Sequence, residues 1–179
     1  MNGMRVVAGE LRGRRIDAPE GKKTRPTTDK AREATFNALG SLGVVVGARM
    51  VDAFAGSGAL GIEALSRGAA HCTFIERDRD ALEVLRNNLA TLGLEDRSTV
   101  VRGDVMSNIG LVRDATVVLA DPPYDFKKWN ALLAQIDANL VVAESDRDMT
   151  LENPPIAGVE VTRVKRYGRA YVSFLQRLA

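Results

Sequence analysis

The sequence predicts an α/β protein built around one mostly parallel β-sheet with helices on both faces. Two observations lead to this prediction. Between residues 49 and 145, short β-prone runs alternate with helical segments, which is the pattern of strand–helix–strand units. After residue 158, two β-prone runs meet at Gly168, and this predicts an antiparallel hairpin on the edge of the sheet. The length of 179 residues corresponds to one domain.

The N-terminal segment is predicted to be a small β-hairpin extension over residues 1–24, ahead of a main domain over residues 25–179. Residues 5–19 contain two β-prone runs separated by glycine and polar residues. The excess of basic residues in this extension leads us to expect that it contacts RNA.

A loop and a helix follow the extension. Pro26 disfavours helix at Arg25, so a loop is expected before the helix begins. The helix is predicted from about Asp29 to Leu42, because apolar side chains that include Phe36 recur at helical spacing.

The remaining elements alternate in type along the chain. Seven strands are predicted in all, five in the alternating region and two in the tail, at residues 49–54, 71–76, 98–104, 115–121, 140–145, 159–167 and 169–178. Helices are predicted between them at residues 58–68, 80–93 and 127–140.

The composition excludes several classes of protein. A single cysteine, Cys72, and a single histidine, His71, leave no material for a disulfide framework or a Cys/His zinc site, and no metal is expected. Both are interpreted as structural residues, because His71 opens a strand at the end away from the ligand edge of such sheets. No apolar run reaches the roughly 18 residues of a membrane span, and we expect a cytoplasmic monomer without a signal peptide.

The charge distribution is uneven along the chain. Residues 1–40 carry a net charge of +4 and residues 159–179 another +4, whereas residues 41–158 carry −6. Basic ends around an acidic body are typical of a surface that binds nucleic acid, although a solvated surface explains them equally well.

A glycine-rich loop points to a nucleoside-containing cofactor. Gly56, Gly58 and Gly61 form G-x-G-x-x-G between a predicted strand and a predicted helix. Glu76 ends the next strand, 20 residues after the first glycine, where a carboxylate can accept hydrogen bonds from ribose hydroxyls.

Two aspartates favour S-adenosylmethionine as that cofactor. Asp52 ends the strand before the glycine loop, where a carboxylate repels a pyrophosphate but attracts an ammonium or a sulfonium. Asp104 follows the third strand, where it can reach an adenine amino group; an ordinary turn aspartate explains it equally well.

The sequence D-P-P-Y at the end of a further strand suggests the reaction. Asp121 is expected at the ligand edge of the sheet, and Pro122 and Pro123 fix the turn that follows. An exocyclic amine is a poor nucleophile because its lone pair is delocalised into the ring. The Asp121 carboxylate and the Pro122 carbonyl can accept hydrogen bonds from the two N–H groups of the amine, and Tyr124 can stack on the base.

These motifs resemble the class I S-adenosylmethionine-dependent methyltransferases, in the branch that methylates amino groups. Residues 6–37 and 52–69 also resemble the bacterial small-subunit rRNA guanine-N2 methyltransferase family (RsmD type). The resemblance is strong through residue 124, thin from 127 to 160, and present again in the final K-R-Y-G-R-A-Y. It implies a Rossmann-like fold and methylation of guanine N2 in 16S rRNA, within an assembled small ribosomal subunit.

The resemblance also assigns residues to roles. It implies that the catalytic residues are Asp121, Pro122, Pro123 and Tyr124. It implies that the cofactor is held by Asp52, Gly56, Ser57, Gly58, Glu76 and Asp104. The residues expected to contact RNA are Arg12, Arg14, Arg15, Arg25, Arg32, Lys165, Arg166 and Arg169.

Four other functions are compatible with parts of the sequence. N6-adenine methylation of DNA and glutamine methylation of a protein use the same D-P-P-Y chemistry. An NAD-dependent dehydrogenase explains the glycine loop but does not explain Asp52 or D-P-P-Y. A non-catalytic RNA-binding protein explains the basic ends but does not explain the residues that are expected to bind a cofactor.

Overall fold

A computed structural model describes residues 3–21, 29–151 and 156–179. Its main sheet has seven strands in the order β5-β4-β3-β6-β7-β9-β8. The strands of this sheet are β3 (Arg49–Asp52), β4 (His71–Glu76), β5 (Ser98–Arg102), β6 (Val117–Ala120), β7 (Leu140–Ser145), β8 (Val159–Tyr167) and β9 (Ala170–Arg177). Strands β3 to β7 run parallel to one another, and β9 pairs antiparallel with both β7 and β8.

The strand order contains a point at which the chain reverses its direction across the sheet. From β3 the chain moves outward through β4 to β5, and it then returns to place β6 on the other side of β3. Ligands bind open α/β sheets outside the carboxyl ends of the strands at such a point. The expected site therefore lies where β3 and β6 end, at Asp52 and Asp121.

Helices cover both faces of the sheet, as predicted. They are α1 (Asp29–Ser41), α2 (Ala59–Ser66), α3 (Arg79–Thr91), α4 (Val105–Asn108) and α5 (Trp129–Gln135). The first three contribute buried side chains to one core cluster, which also contains Met50, Phe74 and Leu119 from the sheet. The last two contribute to the cluster on the opposite face. Among the described residues, no helix is long and apolar enough to cross a membrane.

The observed elements differ from the predictions mainly in length. Helix α5 covers seven residues instead of the predicted 127–140, because the backbone is already extended at Ile136, with φ −77° and ψ 125°. The strands β3, β5 and β6 end two, two and one residues before the predicted boundaries, at the points where ligand-edge loops begin. The C-terminal hairpin, β8 and β9, is confirmed at the sheet edge.

The N-terminal hairpin is present but has very short strands, β1 (Met4–Arg5) and β2 (Arg15–Ile16). It lies against the main domain rather than apart from it, since Val6 and Ile16 are buried in the core cluster of α1, α2 and α3. The described part of the extension therefore shares its core with the domain that follows.

A buried carboxylate on α2 holds this hairpin in place. Glu63 is fully buried and accepts hydrogen bonds from the backbone N–H groups of Val7 and Ala8, at 2.9 and 3.0 Å. Its charge is balanced by Arg67, whose Nε lies 2.8 Å from Oε1, and by Arg32, whose Nε lies 3.4 Å from Oε2.

The assignment of Arg32 to RNA phosphates is wrong. Its side chain is 0% exposed and its Nη2 donates to the backbone oxygen of Arg5 and to Asp29. Since Arg32 follows the same helical spacing as Phe36 and Leu39, it lies on the buried face of α1, where no RNA phosphate can reach it.

Candidate active site

The candidate site lies at the carboxyl ends of the parallel strands. Asp52 ends β3, Glu76 ends β4 and Asp121 follows β6. Side chains alternate between the faces of a sheet, so these three carboxylates point to the face that carries Met50, Phe74 and Leu119. The three residues that the sequence singled out on separate strands are thus brought to one edge and one face.

The glycine loop between β3 and α2 is held by Glu76. Its Oε2 accepts a hydrogen bond from the backbone N–H of Gly56 at 2.8 Å, and its Oε1 accepts one from Asp78 at 2.8 Å. Gly56 has a φ of +55°, and a side chain there would have no atom of the described residues within 4 Å. The loop therefore keeps one side open beside the Glu76 carboxylate.

The last glycine of the motif serves packing rather than binding. A Cβ at Gly61 would lie 2.3 Å from the ring of Phe74 and 2.7 Å from the Sγ of Cys72. Helix α2 packs this closely on β4 because Gly61 has no side chain. The pKa of the Cys72 thiol is raised by burial, and Cys72 is a structural residue, as predicted.

Asp52 is buried beneath the site. It is 1% exposed, and its Oδ2 accepts a hydrogen bond from the backbone N–H of Gly61 at 2.9 Å. Burial raises the pKa of Asp52 to about 8, and the negative charges of Asp121 and Glu76 add to the increase. The described structure shows Asp52 fixing the start of α2, a contact that the sequence did not predict.

This set of residues fits a cationic nucleoside cofactor. Three carboxylates share one edge of the sheet closely enough for Asp121 and Glu76 to affect the pKa of Asp52. Because like charges disfavour one another, a positively charged ligand between them favours the ionised form of Asp52. The open side of the glycine loop at Gly56 supplies the approach that a ribose beside Glu76 requires.

Asp104 has a structural contact that differs from the predicted one. It is the N-cap of α4, and its Oδ1 accepts a hydrogen bond from the backbone N–H of Met106 at 2.8 Å. Its Oδ2 lies 3.5 Å from Arg77. The turn interpretation is thus correct for one carboxylate oxygen, and the contact with an adenine amino group stays a prediction.

The D-P-P-Y segment begins where β6 ends. Asp121 is half-buried, Pro122 is buried, and Tyr124 is 43% exposed. The carbonyl oxygen of Pro123 accepts a hydrogen bond from Phe126 at 2.9 Å, which closes a tight turn. Tyr124 is therefore available at the surface beside a turn whose backbone is fixed.

A groove that the sequence did not predict adjoins this segment. Its lining residues are Pro122, Pro123, Tyr124, Phe126, Trp129, Glu144, Ser145 and Asp146. Phe126 packs edge-to-face with Trp129, at 5.2 Å between ring centroids, and with Phe54 beside the glycine loop, at 5.4 Å. A row of aromatic rings thus joins the cofactor loop to the groove.

Six of the predicted RNA-binding residues fall into two exposed groups. Arg12, Arg14 and Arg15 lie on the hairpin, where Arg14 donates to the carbonyl oxygen of Thr91 and Arg15 pairs with Asp17. Lys165, Arg166 and Arg169 lie on the C-terminal hairpin. Arg25 lies outside the described residues.

The structure also shows a connection between the hairpin and the glycine loop. Asn88, on α3, accepts from the backbone N–H of Asp17 and donates to the carbonyl oxygens of Asp17 and Ser57. It is 3% exposed. Its position three residues after Leu85, on the buried face of α3, is the signal in the sequence that could have identified it.

His71 lies away from the candidate site, and the described residues contain no metal-binding cluster. His71 begins β4, at the opposite edge of the sheet, and its Nε2 lies 2.9 Å from the hydroxyl of Thr99. Within residues 3–21, 29–151 and 156–179, no group of His, Cys, Asp and Glu side chains has an arrangement that could hold a metal ion.

Comparison with protein families and curated proteins gives consistent results. A family model described as conserved hypothetical protein 95 matches residues 4–176. The chain is 38% identical over 188 residues to the Ribosomal RNA small subunit methyltransferase D of Escherichia coli (strain K12), covering 98% of this chain and 91% of that protein. It is also 38% identical over 185 residues to YlbH of Bacillus subtilis (strain 168), covering 97% of this chain and 99% of YlbH.

Solved structures match the whole fold. The structure of yhhF from Escherichia coli superposes with a TM-score of 0.82 at 36% identity, covering 99% of each chain. A protein from Haemophilus influenzae superposes with a TM-score of 0.79 at 27% identity, covering 99% of this chain and all of that one.

Proposed function

The chain belongs to the family described as conserved hypothetical protein 95, the family of the Ribosomal RNA small subunit methyltransferase D proteins, and from this premise we propose that it transfers a methyl group from S-adenosylmethionine to guanine N2 in 16S rRNA. One observation carries the proposal. The carboxylate of Asp121 stands at the carboxyl edge of the sheet close enough to Asp52 to raise its pKa, with Glu76 and the glycine loop beside them.

Each residue of the proposed cofactor site has its own role in binding. Glu76 fixes Gly56 and offers its remaining lone pairs to ribose hydroxyls. The carbonyl oxygen of Ser57 is held by Asn88, and Gly58 continues the turn into α2. Asp104 stands at the adenine end, and the charge of Asp52 favours the ammonium and the sulfonium. When bound, S-adenosylmethionine supplies a methyl group on a positively charged sulfur.

The D-P-P-Y segment orients the amine that receives the methyl group. Asp121 and the Pro122 carbonyl accept hydrogen bonds from its two N–H groups, which favours a tetrahedral nitrogen whose lone pair is less delocalised into the ring. Pro123 fixes the turn, and the exposed Tyr124 stacks on the base. Alignment and electrostatics contribute the rate enhancement, and no covalent intermediate on the protein is required.

The substrate is recognised through its phosphates as well. Arg12, Arg14 and Arg15 on one hairpin and Lys165, Arg166 and Arg169 on the other present exposed positive charge to a polyanion. Arg25, which lies outside the described residues, is proposed to contact RNA as well. We expect the assembled small ribosomal subunit, rather than free RNA, to present the target base, and we expect a cytoplasmic monomer.

The experiment that tests this function uses small ribosomal subunits isolated from cells that lack the enzyme. The protein is incubated with these subunits and with S-adenosylmethionine labelled in the methyl group, and the RNA is digested to nucleosides. Label in N2-methylguanosine is the expected result, with Asp121→Ala as the inactive control. Label in N6-methyladenosine, label in protein, or no transfer to either subunits or free rRNA contradicts the proposal.

A further inference from the structure

Glu144 occupies the position beside Asp121 on the neighbouring strand. Strands β6 and β7 are parallel and pair Ala120 with Ala143, so Asp121 and Glu144 are the next residues on each. Neighbouring strands lie about 4.8 Å apart. The alternation of side chains puts both carboxylates on the face of the sheet that carries Leu119 and Val142.

Glu144 is buried at the mouth of the aromatic groove. It is 7% exposed and lines that groove together with Tyr124 and Trp129. Enzymes that act on a base read its Watson–Crick edge with hydrogen bonds and stack the ring on aromatic side chains. At this edge of the sheet Asp121 and Glu144 supply carboxylates, and the exposed Tyr124 supplies an aromatic face.

The chemistry of the bases distinguishes guanine at this position. In guanine the exocyclic amine N2 is next to N1, which carries a hydrogen and is a donor. In adenine and cytosine the ring nitrogen next to the exocyclic amine carries a lone pair and is an acceptor. Of these three bases, only guanine therefore offers hydrogen-bond donors to two adjacent carboxylates. In adenine and cytosine, the lone pair of the ring nitrogen would face one of the negatively charged carboxylates.

We propose that Glu144 is the residue that selects guanine, by accepting the N1–H hydrogen bond while Asp121 and Pro122 hold the N2 amine. This inference rests on the proposed function and deepens it. A carboxylate has about four lone-pair sites, so Glu144 can accept from a base in addition to its contacts within the protein. In this role Glu144 determines which base enters, and Asp121 determines how its amine is held.

The test measures nucleoside binding in the presence of saturating S-adenosylhomocysteine. Trp129 is the single tryptophan of the chain and lines the groove, so its fluorescence reports occupancy. The nucleosides are guanosine, inosine (which keeps N1–H but lacks the amine), 1-methylguanosine (which keeps the amine but lacks N1–H) and adenosine. The wild-type protein is expected to bind guanosine about tenfold or more tightly than 1-methylguanosine, the effect of one hydrogen bond to a charged group.

Two variants separate recognition from folding. Glu144→Gln is expected to lose most of the preference for guanosine over 1-methylguanosine, while its affinity for S-adenosylhomocysteine changes less than about threefold. Glu160→Gln, which changes an exposed carboxylate on β8 outside the groove, is the matched control and is expected to keep the preference.

Three results would overturn the inference. The first is a wild-type protein that does not discriminate guanosine from 1-methylguanosine, and a protein that binds neither nucleoside counts as this result. Because it is measured on the wild-type protein, it does not depend on the folding of a variant. The second is Glu144→Gln with its preference intact. The third is an equal loss in Glu160→Gln. Methyl transfer to small subunits is measured separately, so wild-type transfer without base discrimination rejects the role of Glu144 and leaves the proposed function standing.

Discussion

The side chain of Asn88 donates a hydrogen bond to the carbonyl oxygen of Ser57 at 2.9 Å. The same amide also holds the backbone N–H and carbonyl of Asp17, at 3.0 and 2.9 Å. One buried residue of α3 thus connects the glycine loop of the cofactor site to the end of the N-terminal hairpin.

Replacing Asn88 should disturb both ends of this connection. Asn88→Ala leaves three backbone polar groups without their partner, so we expect a loss of about 1–3 kcal/mol in the free energy of unfolding and weaker binding of S-adenosylmethionine. Urea unfolding and titration calorimetry measure the two effects. Asn87→Ala, an exposed neighbour on the same helix, is the control and should change neither. Unchanged cofactor affinity in Asn88→Ala would show that the Ser57 contact does not position the loop.

The raised pKa of Asp52 predicts that cofactor binding depends on pH. With a pKa of about 8 the carboxyl is mostly protonated at pH 7. A cationic ligand favours the ionised form, so binding should release up to one proton, and affinity should increase as the pH rises from about 6 to about 8. Calorimetry in buffers with different ionisation enthalpies counts the protons released.

The control for this prediction removes the titrating group but keeps the fold. In Asp52→Asn the amide oxygen can still accept the hydrogen bond from Gly61. The amino group of the cofactor titrates in both proteins, so the difference between them reports Asp52 alone. If the wild-type protein and Asp52→Asn release the same number of protons, then Asp52 does not ionise when the cofactor binds.

Much of the site was predictable because it depends on strand ends and tight turns. Glycine and proline leave clear signals in a sequence, and the parallel strands bring Asp52, Glu76 and Asp121 to one edge. Arg32 was misassigned because its charge suggested a surface, although its helical spacing from Phe36 already placed it on the buried face.

Other contacts depend on which elements meet in three dimensions. Glu63 appears in the sequence as one acid in a short helix, and only the docked hairpin reveals that it binds Val7 and Ala8. The significance of Glu144 depends on the register between β6 and β7, which the sequence of neither strand specifies.

Glu63 should contribute strongly to stability. Glu63→Gln keeps the shape of the side chain but removes the buried charge between Arg32 and Arg67, and it places an amide group against two backbone N–H donors. Breaking a buried ion pair by removing one partner costs about 3–5 kcal/mol, and we expect a loss of that order in urea unfolding. Glu33→Gln, on the exposed face of α1, should change the free energy of unfolding by less than about 0.5 kcal/mol. Equal effects of the two substitutions would contradict the anchoring role.

Asp121 should affect the rate of transfer far more than cofactor binding. Asp121→Ala removes an acceptor for the target amine, so we expect single-turnover transfer to small subunits to slow by about 10²-fold or more, with cofactor affinity within a few-fold of wild type. Asp121→Asn should be milder because its carbonyl oxygen still accepts a hydrogen bond. The exposed Asp125→Ala is the control and should transfer normally. Near-normal turnover in Asp121→Ala would remove Asp121 from the mechanism.

The arginines of the N-terminal hairpin should control the salt dependence of RNA binding. Arg14 and Arg15 are exposed on β2 and the turn before it, and the hairpin is anchored to the domain by Glu63 and Asn88. Neutralising a phosphate releases counterions, so the logarithm of the RNA association constant falls linearly with the logarithm of salt concentration. Each lost contact should lower that slope by about 0.7–0.9, and Arg14→Ala/Arg15→Ala should lower it by about twice this amount.

The double substitution should leave the rest of the protein intact, because Arg14 bonds one exposed carbonyl of α3 and Arg15 forms an exposed pair with Asp17. Cofactor affinity should therefore stay at the wild-type value while RNA binding weakens at low salt. Arg49→Ala/Arg113→Ala removes the same charge from the opposite edge of the sheet, where β3 and β6 begin, and should leave the slope unchanged. A normal slope in Arg14→Ala/Arg15→Ala would mean that these side chains contact only solvent. An equal decrease in both double variants would mean that net charge, rather than the hairpin, sets the affinity.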